Sequence, residues 1–532
     1  MNKLVKNFKN AQKALQTGHY LRAISYVDEI LLTQPNNIEC LMVRGEANLR
    51  SENYEAGVVD YAKVVEIDSK NITALVNFSV GLIRCDRQQD AKNILEYVLE
   101  LDPNKFDAYI NLCNIYQSMG QPEECLKLAF KAIEIRPGDS IGYNNLGTAL
   151  GDLHMISESR EALLTAHQIN PKYVPTAINL AQIEVKLGNH QEAIALYEKL
   201  LKTGNLSLSE RDLIKYYLGY AYLHIGKLDE GWDLYDFGYG SLLPNAAQRS
   251  KRKFIQPKWN GENLEGKTLL IWREQGLGDE IEFATCLHDL SKAGIKVILE
   301  SEPRLVDIFS RTFPSFIVRP ESIGPDFFPA KTDFDMQCAI GSLPRVYRRS
   351  IEDFSNKNTN LSILESIIET FASRLSAHKN KKLVGVCWRS GLFSIARNLN
   401  YTALVDWKEL LCQSDFQFVN LQYGDCEDEL IKIEEELGIS ILRWADLDLK
   451  NDLESVLGLI KNLDAVVTVG TAVSSLAGAC NVPTFLLTQP NWMLLGQTDH
   501  YPWYACVTPL IAQKGQHLAE KISRIPELIK SL

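Results

Sequence analysis

The stretch KTLLIWREQGLGDEIEF, at residues 267–283, decides the fold of the second half of this 532-residue chain. Residues 268–272 form an apolar run typical of a buried strand, two glycines follow at Gly276 and Gly278, and a helix is predicted to open at Asp279. A strand that turns through glycines into a helix collects backbone N–H groups and the positive helix end at one point. Such a point suits an anion or a cluster of sugar hydroxyls.

Asp279 has two interpretations at this position. Its carboxylate faces the space beside the loop, where it can act as a general base. Asp is also among the best residues for capping free amides at a helix start. Gly276 and Gly278 carry no Cβ, so an acceptor molecule can approach the main chain closely there.

After residue 267 the pattern alternates between strands and helices, which predicts an α/β fold with parallel strands. The pattern runs as two series, at residues 267–378 and 379–532, and fits two facing Rossmann-like lobes with a cleft between them. A helix expected at residues 514–532 closes back over the first lobe. A connector rich in Gly, Pro and Asn, residues 238–266, precedes both series.

Polar loops follow the strands of the second series. Ligands bind beyond the carboxyl ends of parallel strands, so these loops are expected to converge on one donor site. Two arginines beside a helix start can hold a diphosphate, although each arginine alone is more typical of a surface salt bridge. The residues predicted to bind the donor are Arg389, Ser390, Gly391, Arg397, Gln422, Asp452, Gly470, Thr471 and Ala472.

The first half of the chain is a repeat with a period of 34 residues. Small residues recur in step at Ala23, Gly57, Ala91, Cys125, Ser159 and Ala193. They are expected where two helices cross, because close approach leaves no room for a side chain. The pattern resembles the tetratricopeptide repeat (TPR) family over residues 4–245, with units starting at 4, 38, 72, 106, 140 and 174 and a seventh near Asp212. This implies an α-helical superhelix with a groove for a protein partner, placed at residues 1–237.

Asparagines also recur in the repeat register. An asparagine amide both donates and accepts, so a row of them can hold a peptide backbone of an acceptor. The alternative is that they are solvated residues tolerated by the repeat. The four positions are Asn77, Asn111, Asn145 and Asn179.

Composition limits the other classes of function. The formal net charge of -11 argues against nucleic-acid binding, which needs clustered Lys and Arg. The 11 cysteines show neither CxxC spacing nor Cys/His metal spacing, so we expect buried thiols in a reducing compartment and no metal. The sequence lacks a signal peptide pattern and a run long enough to span a membrane, which predicts a cytoplasmic protein.

QGLGDEIEFATCL, VGVCWRSG and DAVVTVGTAVSSLAGACNVPTFLL resemble segments of glycosyltransferase family 9, the heptosyltransferase-like group, over residues 255–510. The resemblance implies a GT-B fold that binds a nucleotide sugar in its second lobe without a metal or a cofactor. It also implies that Asp279 is the general base. The family's Asp-Thr and Ser-His pairs are replaced here by Gly470-Thr471 and Ser474-Ser475, so the resemblance does not extend to heptose and ADP specificity.

These observations predict an inverting glycosyltransferase that modifies a protein held by the repeats. The order of repeats followed by a transferase resembles protein O-glycosyltransferases, including bacterial enzymes that modify flagellin. Two other functions stay open. One is a non-catalytic TPR scaffold with a decayed transferase domain, and the other is transfer to lipopolysaccharide or a small glycan.

Overall fold

The computed structural model describes residues 2–203, 206–239, 252–355, 359–391, 400–513 and 516–532. The chain divides into two compact units, Met1–Lys186 (unit 1) and Leu187–Leu532 (unit 2). Arg397, predicted to bind the donor, lies outside the described residues. So does residue 514, the expected start of the last helix.

Unit 1 consists of helices that pack against their neighbours in sequence. Helices begin at Ile38, Ile72, Phe106, Ser140 and Val174, so the starts are 34 residues apart, as the repeat pattern predicts. The helices are α1 (Asn2–Gln16), α2 (Tyr20–Leu31), α3 (Ile38–Arg50), α4 (Tyr54–Ile67), α5 (Ile72–Arg84), α6 (Gln88–Leu101), α7 (Phe106–Ser118), α8 (Pro122–Ile135), α9 (Ser140–Asp152), α10 (Ile156–Ile169) and α11 (Val174–Lys186).

The small residues of the repeat lie where helices meet. Ala23, Ala91 and Cys125 are completely buried. Ser159 is also completely buried, and its hydroxyl donates a 2.6 Å hydrogen bond to the carbonyl of Gly147 on α9. A Cβ added at Gly147 would lie 2.5 Å from Leu163 Cγ. Close helix contact therefore explains why these positions carry small side chains.

The last repeat differs from the sequence prediction. Its first helix, α13 (Leu208–His224), begins at Leu208, one full period after Val174, so the predicted start near Asp212 is wrong. Ser207 and Glu210 form a capping box that fixes this start. The four additional residues lengthen α13 instead of preceding it. The other repeat helices of unit 2 are α12 (His190–Lys202) and α14 (Leu228–Tyr235).

The remainder of unit 2 begins with a four-stranded parallel sheet in the order β3-β2-β1-β4. Its strands are β1 (Thr268–Trp272), β2 (Lys296–Ser301), β3 (Ile317–Pro320) and β4 (Met336–Ala339). The helices of this part are α15 (Leu277–Phe283), α16 (Leu287–Lys292), α17 (Val306–Thr312) and α18 (Pro344–Tyr347). Because β1 is buried at every residue, it reads as a continuous apolar run in the sequence.

A second parallel sheet has the order β10-β9-β8-β5-β6-β7. Counted from β5, this is the 3-2-1-4-5-6 order of a doubly wound sheet. Its strands are β5 (Lys382–Cys387), β6 (Phe416–Asn420), β7 (Ile441–Leu442), β8 (Ala465–Val469), β9 (Thr484–Thr488) and β10 (Val507–Ile511). The helices of this part are α19 (Glu365–Arg374), α20 (Lys408–Leu411), α21 (Glu427–Leu437), α22 (Leu453–Lys461), α23 (Ala472–Ala479) and α24 (Ile525–Lys530).

The C-terminal segment departs from the prediction. Strand β10 was not expected, and residues 518–524 form a 3-10 helix that leads into α24. Leu518, Ile522 and Ile525 belong to the same buried cluster as Phe485 of β9 and Leu510 of β10. The segment therefore packs on the second sheet, and the expectation that it covers the first lobe is wrong.

The final repeat helices share a core with the α/β part of unit 2. Trp232 of α14 packs edge-to-face on Trp503 at 6.3 Å and on Trp492 at 6.2 Å between ring centroids. Tyr235 packs on Phe283 of α15 at 6.2 Å. Such aromatic pairs bury large apolar areas. The predicted domain boundary at residue 237 thus falls inside a compact unit that begins at Leu187.

Within the described residues, no helix combines the length and the apolar character that crossing a bilayer requires.

We expect Gly147→Ala to destabilise unit 1 by about 1–3 kcal/mol, because the new methyl group collides with Leu163. The free-energy cost of this collision must exceed the stabilisation of about 1 kcal/mol that Ala gives relative to Gly in a helix. Denaturation followed by far-UV circular dichroism measures this. Gly138→Ala is the control, since a Cβ there meets nothing within 4 Å. Equal stability of the two variants would contradict close packing at Gly147.

Candidate functional site

A cavity of about 650 Å³ lies in unit 2, at the carboxyl ends of β1, β5 and β8. The loops after these strands and the first turns of α15 and α23 form its walls. In parallel sheets this is the side on which ligands bind. Of the predicted site residues, the lining contains Gly276, Gly278, Asp279, Ser390, Gly391, Gly470, Thr471 and Ala472.

Asp279 lines the cavity and also stabilises the start of its own helix. Its Oδ2 accepts a 3.1 Å hydrogen bond from the backbone N–H of Gly276. The two interpretations offered by the sequence are therefore compatible, because the bond to Gly276 fixes the carboxylate at the cavity wall. A group held in this way is pre-oriented for proton transfer.

Helix α15 packs directly on α23 at the base of the cavity. A Cβ at Gly278 would lie 3.2 Å from Ser475 Oγ and 3.4 Å from Ala472 Cα, so glycine permits the contact. Glu282 follows Asp279 on the same face of α15, three residues on. Its Oε1 accepts hydrogen bonds from the hydroxyl groups of Tyr501, at 2.7 Å, and Ser475, at 3.0 Å.

Glu282 is 5% exposed and lines the cavity. Burial raises the pKa of its carboxyl from 4.5 to about 8, and the nearby Asp279 carboxyl acts in the same direction. The hydroxyl groups of Tyr501 and Ser475 oppose the shift only in part. Burial also raises the pKa of the Tyr501 phenol well above 10, so Tyr501 stays protonated and donates. The sequence prediction omitted Glu282, although the i, i+3 spacing from Asp279 was visible.

The loop after β8 forms the start of α23. Thr471 is the N-cap, and its Oγ1 accepts a 3.3 Å hydrogen bond from the N–H of Val473. At Gly470 a Cβ would meet nothing within 4 Å, so this residue borders open space in the cavity wall. A helix start with backbone amides beside open space favours an anionic group.

Ser390 and Gly391, in the loop after β5, also line the cavity. Ser390 Oγ lies 3.4 Å from the hydroxyl of Tyr423, and a Cβ at Gly391 would lie 3.0 Å from that ring. The Gln422 side chain stabilises this turn, because its Oε1 accepts hydrogen bonds from the backbone N–H groups of Trp388 and Arg389 at 3.1 and 3.0 Å. Gln422 lines an adjoining pocket of about 570 Å³ instead of the main cavity.

The structure does not bring Arg389 or Asp452 to the main cavity. The Arg389 guanidinium pairs with Glu429 and donates to the carbonyl of Asp425 at 2.6 Å. Asp452 caps α22 by accepting a 3.1 Å hydrogen bond from the N–H of Ser455. Salt-bridge and capping roles account for both contacts.

Two cations that the sequence prediction omitted line the cavity. They are Arg304, just after β2, and Lys450, in the loop before α22. Arg304 pairs with Glu302 at 2.9 Å and donates to the carbonyl of Lys450 at 2.7 Å. Because this bond spans the two α/β parts of unit 2, the sequence spacing gave no signal for it. Arg304 and Lys450 therefore line the cavity, whereas Arg389, which was expected there, does not.

In the described ranges, no group of three or more His, Cys, Asp or Glu side chains is arranged to hold a metal ion.

The asparagines of unit 1 have different surroundings. Asn77 and Asn111 both line a groove of about 300 Å³. Asn77 donates to the Tyr61 hydroxyl at 3.1 Å. Asn145 is 4% exposed, and Asn179 donates to Asn144 Oδ1 at 3.0 Å. Two of the four therefore face a groove, while the other two lie among polar contacts of the helices.

Two tetratricopeptide repeat family models match the chain, at residues 86–150 and 178–236. Together with the 34-residue spacing of the helix starts, they confirm the repeats predicted from the sequence. Stacked repeats of this kind form extended concave surfaces that serve for binding.

Among similar proteins, the protein FlbA of Caulobacter vibrioides is 29% identical over 428 residues, which cover 77% of this chain and 70% of that protein. Its name states no activity. The TPR repeat-containing protein MJ1428 of Methanocaldococcus jannaschii is 23% identical over 196 residues, covering 35% of this chain and 34% of that protein.

Similar solved structures include MamA from Desulfovibrio magneticus, at 18% identity and a TM-score of 0.29, covering 32% of this chain and 97% of that one. The type IV pilus biogenesis factor PilW is 14% identical, with a TM-score of 0.36, and covers 40% of this chain and 98% of that one. These TM-scores are too low to bear on function.

The raised pKa of Glu282 predicts a pH-dependent stability. Between pH 4.5 and about 8 the folded state holds a proton that the unfolded state lacks, so the free energy of unfolding falls as pH rises through this interval. We expect Glu282→Gln, which does not titrate, to be more stable than wild type above pH 8, by on the order of a few kcal/mol. The gain shrinks toward pH 5.

Denaturation followed by Trp fluorescence is the measurement, because all 8 tryptophans lie after residue 186 and report on unit 2. Glu436→Gln serves as the control, since Glu436 is exposed. A stability difference that is the same at pH 5 and pH 8.5 would refute the assignment.

Proposed function

We propose that this protein is an inverting, metal-independent glycosyltransferase of the GT-B type that moves a sugar from a nucleotide donor to a protein. The proposal depends on one arrangement, in which Asp279 of α15 and the capped start of α23 line the same cavity. Resemblance of the segments 275–287, 384–391 and 464–487 to glycosyltransferase family 9 points to the same chemistry.

In the proposed reaction, Asp279 takes the proton from an acceptor hydroxyl. The hydroxyl oxygen attacks the anomeric carbon of the sugar from the face opposite the nucleotide. The bond between the anomeric carbon and the phosphate oxygen breaks, and its electrons leave with the nucleoside diphosphate. The backbone amides at the start of α23, together with Arg304 and Lys450, stabilise the negative charge that develops on the departing diphosphate.

The repeats of unit 1 bind the protein acceptor in this proposal. The family matches support a protein-binding role for them. The groove beside Asn77 and Asn111 offers apolar and amide groups, which suit an extended peptide. Flagellin is one candidate acceptor, on the architectural resemblance alone.

A non-catalytic scaffold is the competing function, and the repeat matches favour it equally. Calorimetry with a panel of nucleoside diphosphates separates the two. A transferase binds at least one member, whereas a decayed domain binds none.

We expect Asp279→Asn to lower transfer at least about 100-fold, because the amide cannot accept the proton. Donor affinity should stay within about threefold, since the Asn oxygen can still accept the N–H of Gly276. Sugar release from the donor and transfer to a co-expressed acceptor, detected by mass spectrometry, are the measurements. Asp452→Asn is the control outside the cavity. Full activity of Asp279→Asn would exclude Asp279 as the base.

Removal of residues 1–186 should abolish modification of the protein acceptor and preserve hydrolysis of the donor. The cut is placed at the boundary between the units, because a cut at residue 235 would remove Trp232 and Tyr235 from the core of unit 2. Hydrolysis and protein transfer are compared in the truncated and the full chain. Unchanged protein transfer by the truncated chain would exclude acceptor binding by unit 1.

A further inference from the structure

Glu282 is a buried carboxyl in the wall of the cavity that the chemistry proposed above does not use. Hydroxyl groups from two other segments of unit 2, Ser475 on α23 and Tyr501, both donate to its Oε1. Among the described residues, no side chain or backbone group forms a hydrogen bond with Oε2, and no Lys or Arg pairs with Glu282. One carboxyl oxygen is therefore occupied, while the other is available to a ligand in the cavity.

Burial and the Asp279 carboxyl disfavour a negative charge on Glu282, and the hydroxyl groups of Tyr501 and Ser475 oppose this only in part. Asp279 lies one turn earlier on the same helix, and the phenols of Tyr501 and Tyr504 come from the chain before β10. The Tyr504 hydroxyl donates to the carbonyl of Ile281 at 3.0 Å and not to Glu282. An unpaired carboxylate buried in this way is costly, so the neutral acid is favoured. With Oε1 occupied as an acceptor, the proton belongs on Oε2.

We propose that Glu282 is a donor-binding residue, whose protonated Oε2 donates a hydrogen bond to a phosphate oxygen of a nucleoside diphosphate bound at the start of α23. The position supports this, because Gly278 places α15 against Ala472 and Ser475, within the first turns of α23. A neutral carboxyl at that point is compatible with a phosphate group bound beside Asp279, whereas a second carboxylate would repel the phosphate. The inference rests on the proposed transferase function.

The first test measures the proton directly and needs no ligand. The infrared spectrum of wild type minus that of Glu282→Gln, recorded at pH 7, should contain the carbonyl band of a protonated carboxylic acid. Glu436→Gln is the matched control, and its difference spectrum should lack this band because Glu436 is exposed. Absence of the protonated-acid band from the difference spectrum of Glu282→Gln would overturn the inference.

The second test measures binding of UDP, GDP, ADP and CDP by calorimetry at pH 7 and pH 9. For the nucleotide that binds, wild-type affinity should fall about tenfold across this interval as Glu282 loses its proton. Glu282→Gln keeps a neutral hydrogen-bond donor, so its affinity should change less than about twofold. Glu282→Ala should bind about tenfold more weakly than Glu282→Gln at pH 7.

An equal loss of affinity in wild type and Glu282→Gln between pH 7 and pH 9 would overturn the role of Glu282 and leave the transferase proposal standing. The absence of binding by every nucleotide to wild type would instead overturn the transferase proposal, and phosphate recognition by Glu282 with it. The infrared test still reports the protonation of Glu282 in that case. The two failures are therefore distinguishable.

Discussion

The close contact between α15 and α23 is the constraint on which the site depends. Gly278 lets the two helices approach until a Cβ would lie 3.2 Å from Ser475 Oγ. This contact aligns the first turn of one helix with the first turn of the other and leaves the cavity between their loops. A Cβ at residue 278 would require the Ser475 hydroxyl to move, at the point where the two helices that carry Asp279 and the Thr471 cap meet. The geometry of the site is thus a consequence of helix packing between the two α/β parts of unit 2.

Buried polar groups make this contact specific. Glu282 accepts hydrogen bonds from the hydroxyl groups of Ser475 and Tyr501, which belong to two other segments. The Tyr504 hydroxyl donates to the carbonyl of Ile281 at the same contact. These bonds satisfy polar groups that apolar packing alone would leave unpaired. The raised pKa of Glu282 follows from the same burial, so the contact that joins the two α/β parts also disfavours the charged form of this carboxyl.

The last repeat helices belong to the unit that contains the cavity. Tyr235 of α14 packs on Phe283 of α15, and its hydroxyl donates to Glu274 at 3.3 Å and accepts from Gln275. Glu274 and Gln275 precede Gly276 directly, so α14 supports the loop that carries Asp279. This packing explains why the compact unit begins at Leu187 and not where the repeat pattern ends.

The sequence by itself determined the elements whose causes are local. A 34-residue period fixed the helix starts of unit 1, because each repeat needs a small residue where its helices cross, and apolar runs fixed most strands. Glycines at residues 276 and 278 identified the loop after β1, and the residues after β5 and β8 identified other parts of the cavity lining.

Only the tertiary structure decided the direction of long side chains and the contacts between segments that are distant in sequence. The Arg389 guanidinium pairs with Glu429 of α21, a residue 40 positions later in the chain. Arg304 and Lys450, like Glu282, Ser475 and Tyr501, are far apart in sequence, and only folding brings them together.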